Sequence, residues 1–232
     1  MYQDLFGRAL WDYVNGRRRD MITWTQLSPP EILRTDYLFR DFDRMPEGER
    51  LALEMSRGRI LDVGAGSGSH SLWLQEQGRD VMALDASILA CRTMEKRGVR
   101  HIIPRDFFAC KPFRRFDTLL LLMNGAGIMQ RAARIDAFFE QLNALTAPGG
   151  QVLIHSSDIY YLYPVFDLPL PENTYYGDVD FHIKYEDACQ QFPWTYPDPD
   201  LLSLHAGRHG FRVHRVCENE DGDVLLQCLK EG

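Results

Sequence analysis

Five cysteines, at positions 91, 110, 189, 217 and 228, form an odd set with no C-x-x-C pair. That excludes a disulfide framework and a zinc-type spacing, so the thiols read as reduced, Cys217 and Cys228 being small hydrophobes on strand patterns. Long apolar runs are absent too. The strongest, residues 119–123, falls far short of the roughly 20 residues that cross a bilayer, so no membrane partner is expected. Asp4, Arg8 and Asp12 interrupt the first apolar stretch and leave no signal-peptide core, which gives a cytoplasmic expectation. Positive charge is in short supply, with 26 Lys plus Arg against 33 Asp plus Glu and a net charge of −7. A nucleic-acid binder concentrates a dominating basic face, so no nucleic-acid partner is expected. The one basic run, Arg17-Arg18-Arg19, lies between Asp12 and Asp20 and reads as a solvated helix end.

What is present is an ordinary globular composition, 45% hydrophobic and 25% charged over 232 residues, enough for one domain with a full core. From about Arg59, short apolar runs alternate with helical patterns, the signature of a parallel sheet covered by helices. The runs are 60–63, 81–84, 99–103, 118–123 and 151–155, and the fourth is apolar without alternation, as a central strand buried on both faces requires. Ser87 as N-cap and Gly98 after Lys96-Arg97 bound the second helix of this unit. Ile135, Phe138, Phe139, Leu142 and Leu145 form one helical stripe, and Pro148-Gly149-Gly150 stops it. A helix at 200–209, capped by Gly210, precedes strand patterns at 211–217 and 224–229, which Asp221-Gly222 joins as an antiparallel hairpin.

Two segments stand outside this repeat. Residues 1–58 carry helical patterns and are expected as an N-terminal helical extension or cap. Residues 158–197 form an insertion holding 11 of the 27 aromatic residues and 5 of the 12 prolines, a density that suits a lid or binding element better than a spacer. Within it, residues 178–185 partly alternate and are expected to add a strand.

The chemistry concentrates where the first run ends, in Asp62-Val63-Gly64-Ala65-Gly66-Ser67-Gly68. Glycines there allow a tight turn and let backbone N–H groups approach a ligand at a helix N-terminus. The second run ends in Asp85 followed by Ala86, a carboxylate about 20 residues beyond the loop, suited to ribose hydroxyls. The third is followed by Asp106-Phe107, an acid and a ring suited to an adenine. A dinucleotide fingerprint wants glycine or alanine where this chain has Ser69, and the carboxylate of Asp62 would repel a pyrophosphate, which disfavours an NAD-dependent oxidoreductase.

On these residues, with Phe116-Asp117-Thr118-Leu119-Leu120 and Pro148-Gly149-Gly150-Gln151, the segment from Arg59 to Glu231 resembles the class I S-adenosylmethionine-dependent methyltransferases. The resemblance implies an α/β fold, a Rossmann-like three-layer sandwich with a seven-stranded, mostly parallel sheet and an antiparallel C-terminal hairpin. Residues 59–232 then form the methyltransferase domain, with 158–197 inserted. It implies that Gly64, Ala65 and Gly66 cradle the methionine part of S-adenosylmethionine and that Asp62 orients its amino group. Asp85, with Ala86 beside it, holds the ribose, Asp106 and Phe107 flank adenine, and Met123 and Asn124 lie near the methyl group. The product is S-adenosylhomocysteine.

Candidate bases for a hydroxyl acceptor are His155 and Asp158, which also read as a satisfied core histidine and a turn carboxylate. His70 reads as a packing or surface residue, and Arg40 either as a surface group or as a partner for the cofactor carboxylate or an acidic substrate. Asn124-Gly125-Ala126-Gly127 departs from the Asn-Pro-Pro pattern of base and amide N-methyltransferases, which disfavours those acceptors. The expected activity is methyl transfer to a small-molecule substrate, the alternative being a methyltransferase-like binding subunit that needs a partner.

Overall fold

The computed structural model describes residues 4–111, 114–219 and 222–231. Helix α1 (Leu5–Val14), strands β1 (Met21–Thr25) and β2 (Ser28–Leu33), and α2 (Glu47–Met55) come first. The alternating unit follows, with β3 (Arg59–Val63), α3 (Ser69–Glu76), β4 (Asp80–Asp85), α4 (Ile88–Arg97), β5 (Ile102–Pro104), β6 (Phe116–Leu121), α5 (Ile135–Leu145) and β7 (Thr146–Ser157). After it come α6 (Leu162–Val165), β8 (Asp178–Tyr185), β9 (Ala188–Thr195), α7 (Pro199–Arg208), β10 (Phe211–Glu218) and β11 (Asp223–Lys230).

The main sheet has the order β10-β11-β7-β6-β3-β4-β5. Only β11 runs antiparallel to its neighbours, so the sheet is otherwise parallel. Strand β6 sits mid-sheet because both its faces are apolar: Leu119 and Leu121 enter the core under α5, while Leu120 enters the opposite core with Ile60 and Leu153. The stripe of α5 is fully used, with Phe138, Phe139, Leu142 and Leu145 inaccessible, and each such side chain contributes about 1.5–3 kcal/mol of burial. Helix α4 has the expected ends: Ser87 Oγ accepts the Ala90 N–H at 2.9 Å, and Gly98 closes the helix in a left-handed conformation. The hairpin of β10 and β11 forms as expected, although Asp221 of the expected turn lies outside the described residues.

A second sheet, ordered β2-β1-β8-β9, corrects the expectation of a purely helical N-terminal segment. The run Met-Ile-Thr-Trp-Thr of β1 has strand chemistry, and it pairs with β8 of the insertion, Ile22 opposite Lys184 and Trp24 opposite His182. Its other partner, β2, carries Pro29 and Pro30, which an edge strand tolerates. Thus the two segments outside the repeat assemble with each other. The extra strand expected at 178–185 is β8. Boundaries also differ: β5 is confined to Ile102–Pro104, β6 ends at Leu121, which leaves Met123 in the turn beyond it, and β7 starts at Thr146 directly after α5, so Pro148-Gly149-Gly150 lies within the strand instead of separating it from the helix.

Candidate active site

All the expected cofactor residues sit at or just beyond the carboxyl ends of β3, β4, β5 and β6, the usual ligand crevice of an open parallel sheet. The glycine loop is fixed mainly by backbone bonds. Gly64 and Ala65 donate N–H groups to the Leu84 carbonyl at 2.8 and 3.1 Å, which ties the end of β3 to the end of β4. Gly64 (φ +72°) and Gly66 (φ +55°) are left-handed, and a Cβ on Gly64 would meet nothing within 4 Å, so the loop faces open space. Gly68 is different, since a Cβ there would lie 2.8 Å from Met94 Cγ. Its glycine serves packing against α4.

Asp85 completes the cradle. Its Oδ2 accepts the Gly66 N–H and its Oδ1 the Ser87 N–H, both at 2.8 Å, which leaves lone pairs on both oxygens for a pair of hydroxyl donors. Burial raises its carboxyl to about 6, against the lowering effect of those two amides. Ala86, next to it, is exposed. Asp62 is only 2% exposed and accepts the Ser71 hydroxyl at 2.7 Å, so it anchors the first turn of α3 beneath the loop. Burial pushes its carboxyl up. Asp106 is exposed and accepts the N–H groups of Phe108 and Ala109 at 2.9 and 3.2 Å. The Phe107 ring is 1% exposed and packs against Phe138 in the core, so it supports the loop from below and presents no face to a ligand. Its half-buried neighbour Phe108 carries the Arg134 guanidinium 4.0 Å from its ring centre.

The N-terminal segment reaches this loop directly. Through the turn Thr35–Phe39 the Leu38 carbonyl accepts the hydroxyls of both Ser67 and Ser69, and Arg97 donates to the Ser67 carbonyl at 2.7 Å. Arg40 is neither a surface group nor free for a ligand carboxylate through its whole fork. It is 3% exposed, its Nη2 donates to both carboxylate oxygens of Glu49, and its guanidinium stacks 4.0 Å from the Tyr37 ring centre. Glu49 is equally buried and also bonds His70 Nε2 at 2.8 Å. Burial raises the Glu49 carboxyl, but His70 and Arg40 more than offset this and hold it below the ordinary range.

Glu49 is the site residue that sequence reasoning missed. A signal existed: it shares a face with Ala52 and Leu53 at helical spacing, a carboxylate on the apolar stripe of α2. The same holds for Ser157 and Asp223, whose roles depend on a strand pairing 66 positions apart.

Beyond β6 the chain makes a turn in which both Met123 (φ +55°) and Asn124 (φ +57°) are left-handed. The Asn124 N–H donates to His155 Nδ1 at 3.2 Å, and Ser157 Oγ bonds both Asn124 Oδ1, at 2.9 Å, and Asp223 Oδ1. Burial lowers the His155 pKa, opposed mainly by Asp223 and Glu49, so the ring is neutral at pH 7 with its proton on Nε2. Asp158 is a turn carboxylate: its Oδ1 accepts the Tyr160 N–H and the Tyr176 hydroxyl, both at 2.8 Å. It lines a cleft with Tyr160, Tyr161, Asp198 and Arg215, toward the β10–β11 edge and away from the glycine loop. The structure therefore brings His155 to the β6 turn and leaves Asp158 apart from it.

The cradle suits S-adenosylmethionine on three counts: open space over Gly64, a two-oxygen acceptor at Asp85, and an orphan donor. The last is Arg40 Nε, buried and, among the described residues, without a hydrogen-bond partner, two positions after Leu38, whose carbonyl contacts the loop. Comparison with known proteins agrees. No family model matches the chain, and no curated protein does. Among solved structures, a SAM-dependent methyltransferase from Bacteroides fragilis in complex with S-adenosyl-L-homocysteine is 34% identical, with a TM-score of 0.88 over 99% of this chain and 95% of its own. A SAM-bound amino pentose methyltransferase from Micromonospora echinaspora shares the fold at 16% identity and TM-score 0.53, covering 82% of this chain and 88% of that one. The sugar N-methyltransferase from Streptoalloteichus does so at 15% and 0.57, covering 83% and 89%. The loop geometry, the strand order and the 34% identity over nearly the whole chain lead to one conclusion, that this chain belongs to the S-adenosylmethionine-dependent methyltransferases.

Proposed function

We infer that the methyl acceptor is a small molecule held between the glycine loop and the β6 turn. The observation that carries this is the closure of the strand ends by the chain's own segments. Leu38 lies on Ser67 and Ser69, and the second sheet packs on the segment leaving β6, where a Cβ on Gly127 would fall 2.0 Å from Trp194. Arg131 and the Ala132 N–H further tie that segment to Asp180 and Asp178 of β8. Strand ends covered in this way fit a compact acceptor better than a polymer, and a net charge of −7 disfavours a phosphate backbone. The sugar and amino pentose methyltransferases that share the fold support the same substrate class.

S-adenosylmethionine, when bound, supplies a methyl group on a sulfonium leaving group. The chain's own task is positioning and exclusion of water, because an in-line displacement needs the acceptor lone pair at attack distance in a dry cleft. In this reading Asp85 receives the ribose hydroxyls, Arg40 Nε donates to the methionine carboxylate, and the Gly64–Gly66 backbone lies against the methionine chain. Asp106 borders the adenine at the end of β5. His155 and Asp158 are both committed to other donors, so the site favours an acceptor that attacks without first losing a proton, such as a neutral amine, over an alcohol, whose proton needs a base.

The test incubates the purified chain with methyl-labelled S-adenosylmethionine and a cell extract separated into small-molecule, protein and RNA fractions. Label is expected in the small-molecule fraction and absent with an Asp85→Ala variant. Label confined to protein or RNA overturns the assignment.

A further inference from the structure

The turn beyond β6 has an unusual construction. Two successive residues, neither of them glycine, occupy the left-handed region that L side chains disfavour. Within the turn the Gly127 N–H donates to the Asn124 carbonyl at 3.0 Å, a bond that engages neither the Asn124 N–H nor its side chain. The remaining restraints on these two residues come from β7 and β11, strands that outlast β6 at this end of the sheet: Leu121 pairs with Ile154, and His155 and Ser157 then lie beyond the last β6 residue. We propose that His155 is a positioning residue whose Nδ1, by accepting the Asn124 N–H, holds the Met123-Asn124 turn in the shape that receives the cofactor's methyl end.

The chemistry of the contact supports this assignment and removes the alternative. A backbone N–H donates only to a lone pair, so Nδ1 is unprotonated and occupied while the turn is formed. The remaining ring nitrogen then carries the proton and acts as a donor. His155 in this structure is therefore no general base, and its partner is the backbone of Asn124. Ser157 adds a second restraint by linking the Asn124 side chain to Asp223 at the start of β11. The charged and titratable groups around the ring are Asp223 from β11, Glu49 from α2, His70 from α3 and Arg40 from the N-terminal segment. Met123, 36% exposed, is the side chain that the turn presents outward. The link from turn to cofactor rests on the reading above, in which Met123 and Asn124 border the methyl group.

Two substitutions separate the roles of the two ring nitrogens. His155→Asn places a carbonyl oxygen where Nδ1 stands and has no basic nitrogen, whereas His155→Gln places its polar end near Nε2 and leaves the Asn124 N–H without an acceptor. The measurements are thermal unfolding and calorimetric titration with S-adenosylhomocysteine. His155→Gln is expected to lower the melting temperature and weaken binding roughly tenfold, whereas His155→Asn stays within about twofold of the parent, a difference set by one buried hydrogen bond. In an Asn124→Gly background the N–H of residue 124 still lacks its acceptor, but the left-handed conformation needs no restraint, so the loss caused by His155→Gln should shrink by the part that is backbone strain. The smaller loss in this background also makes the comparison with His155→Asn measurable where His155→Gln alone is too unstable to purify. Equal losses in His155→Asn and His155→Gln, or an undiminished loss in the glycine background, overturn the proposal. If the stability pattern holds but binding stays level in all variants, including Met123→Ala, the turn is propped as described yet lies away from the cofactor. That outcome overturns the part of the proposal that concerns the methyl end.

Discussion

The two halves of the sheet's carboxyl edge build their loops by opposite means. At the ends of β3 and β4, glycines take the left-handed conformations and backbone amides bond a neighbouring carbonyl, Gly64 and Ala65 to Leu84. At the end of β6, Met123 and Asn124 take such conformations, and side chains of the paired strand β7, His155 and Ser157, hold them there. The first construction is local and stands largely on its own glycines. The second depends on tertiary structure, so its shape is conditional on the strands around it. In the reading proposed above, the cradle for the cofactor is thus preformed, whereas the half assigned to the acceptor is set by side chains of β7.

The largest expected effect lies at the joint between these halves. Glu49 bonds Arg40 and His70 in the buried space that also faces His155. Glu49→Gln removes the carboxylate paired with the Arg40 guanidinium and should destabilise the chain by roughly 3–5 kcal/mol, the range for breaking a buried ion pair. Urea unfolding measures it. The pH dependence has a definite sign. Because His70 and Arg40 hold the folded carboxyl below its unfolded value, its stabilisation is present above the ordinary carboxylate range and is lost as pH falls through the folded pKa. The parent should therefore lose stability more steeply than Glu49→Gln on acidification below about pH 4.5. A loss under 1 kcal/mol at neutral pH would show that both halves stand without the joint.

Next in size is the cradle's one essential side chain. Asp85→Asn removes one acceptor oxygen and a charge, so S-adenosylhomocysteine should bind about 1.5–3 kcal/mol more weakly, as for hydrogen bonds to a charged group. Burial raises the Asp85 carboxyl to about 6, above its unfolded value. Protonation as pH drops from 7 to 5 therefore withdraws acceptor lone pairs and weakens binding in the parent, while the asparagine variant, weak throughout, changes less. The same shift favours the ligand-free fold on acidification, since the ionised group is the costly form. Calorimetry between pH 5 and 8 reads this directly, and a pH-independent parent affinity would remove Asp85 from the ribose.

This contrast also explains what was legible in the sequence. The main sheet is written in local patterns: a stripe on α5, a cap at Ser87, a doubly apolar β6. The glycine loop is legible for the same reason, because a left-handed turn without outside support needs glycine at fixed spacings. The second sheet was not, since β1 has too little alternation of its own and finds its partner β8 more than 150 positions later. Phe107 was misjudged because an aromatic ring beside an acid looks the same in sequence whether it faces a ligand or the core. His155 is the sharpest case. Its type and place suggested a base, but the acceptor role of Nδ1 depends on the backbone of Asn124, 31 positions away.

The smallest effect tests the comparison most directly, by exchanging the two constructions. Gly66→Ala places a side chain at φ +55° with only the Gly64 carbonyl at 3.9 Å, so the space is free and the cost is backbone strain alone, roughly 1–2 kcal/mol. Asn124→Gly works in the other direction: it relieves a comparable strain but loses the Ser157 bond and frees the unfolded chain. These contributions nearly cancel, so its melting temperature should correspond to a change within about 1 kcal/mol of the parent. A loss at one and little change at the other of two residues with nearly equal φ follows if glycine supplies the conformation at Gly66 and side-chain restraint supplies it at Asn124. Were Asn124→Gly to destabilise as much as Gly66→Ala, the Asn124 side chain rather than its backbone would be what the turn requires.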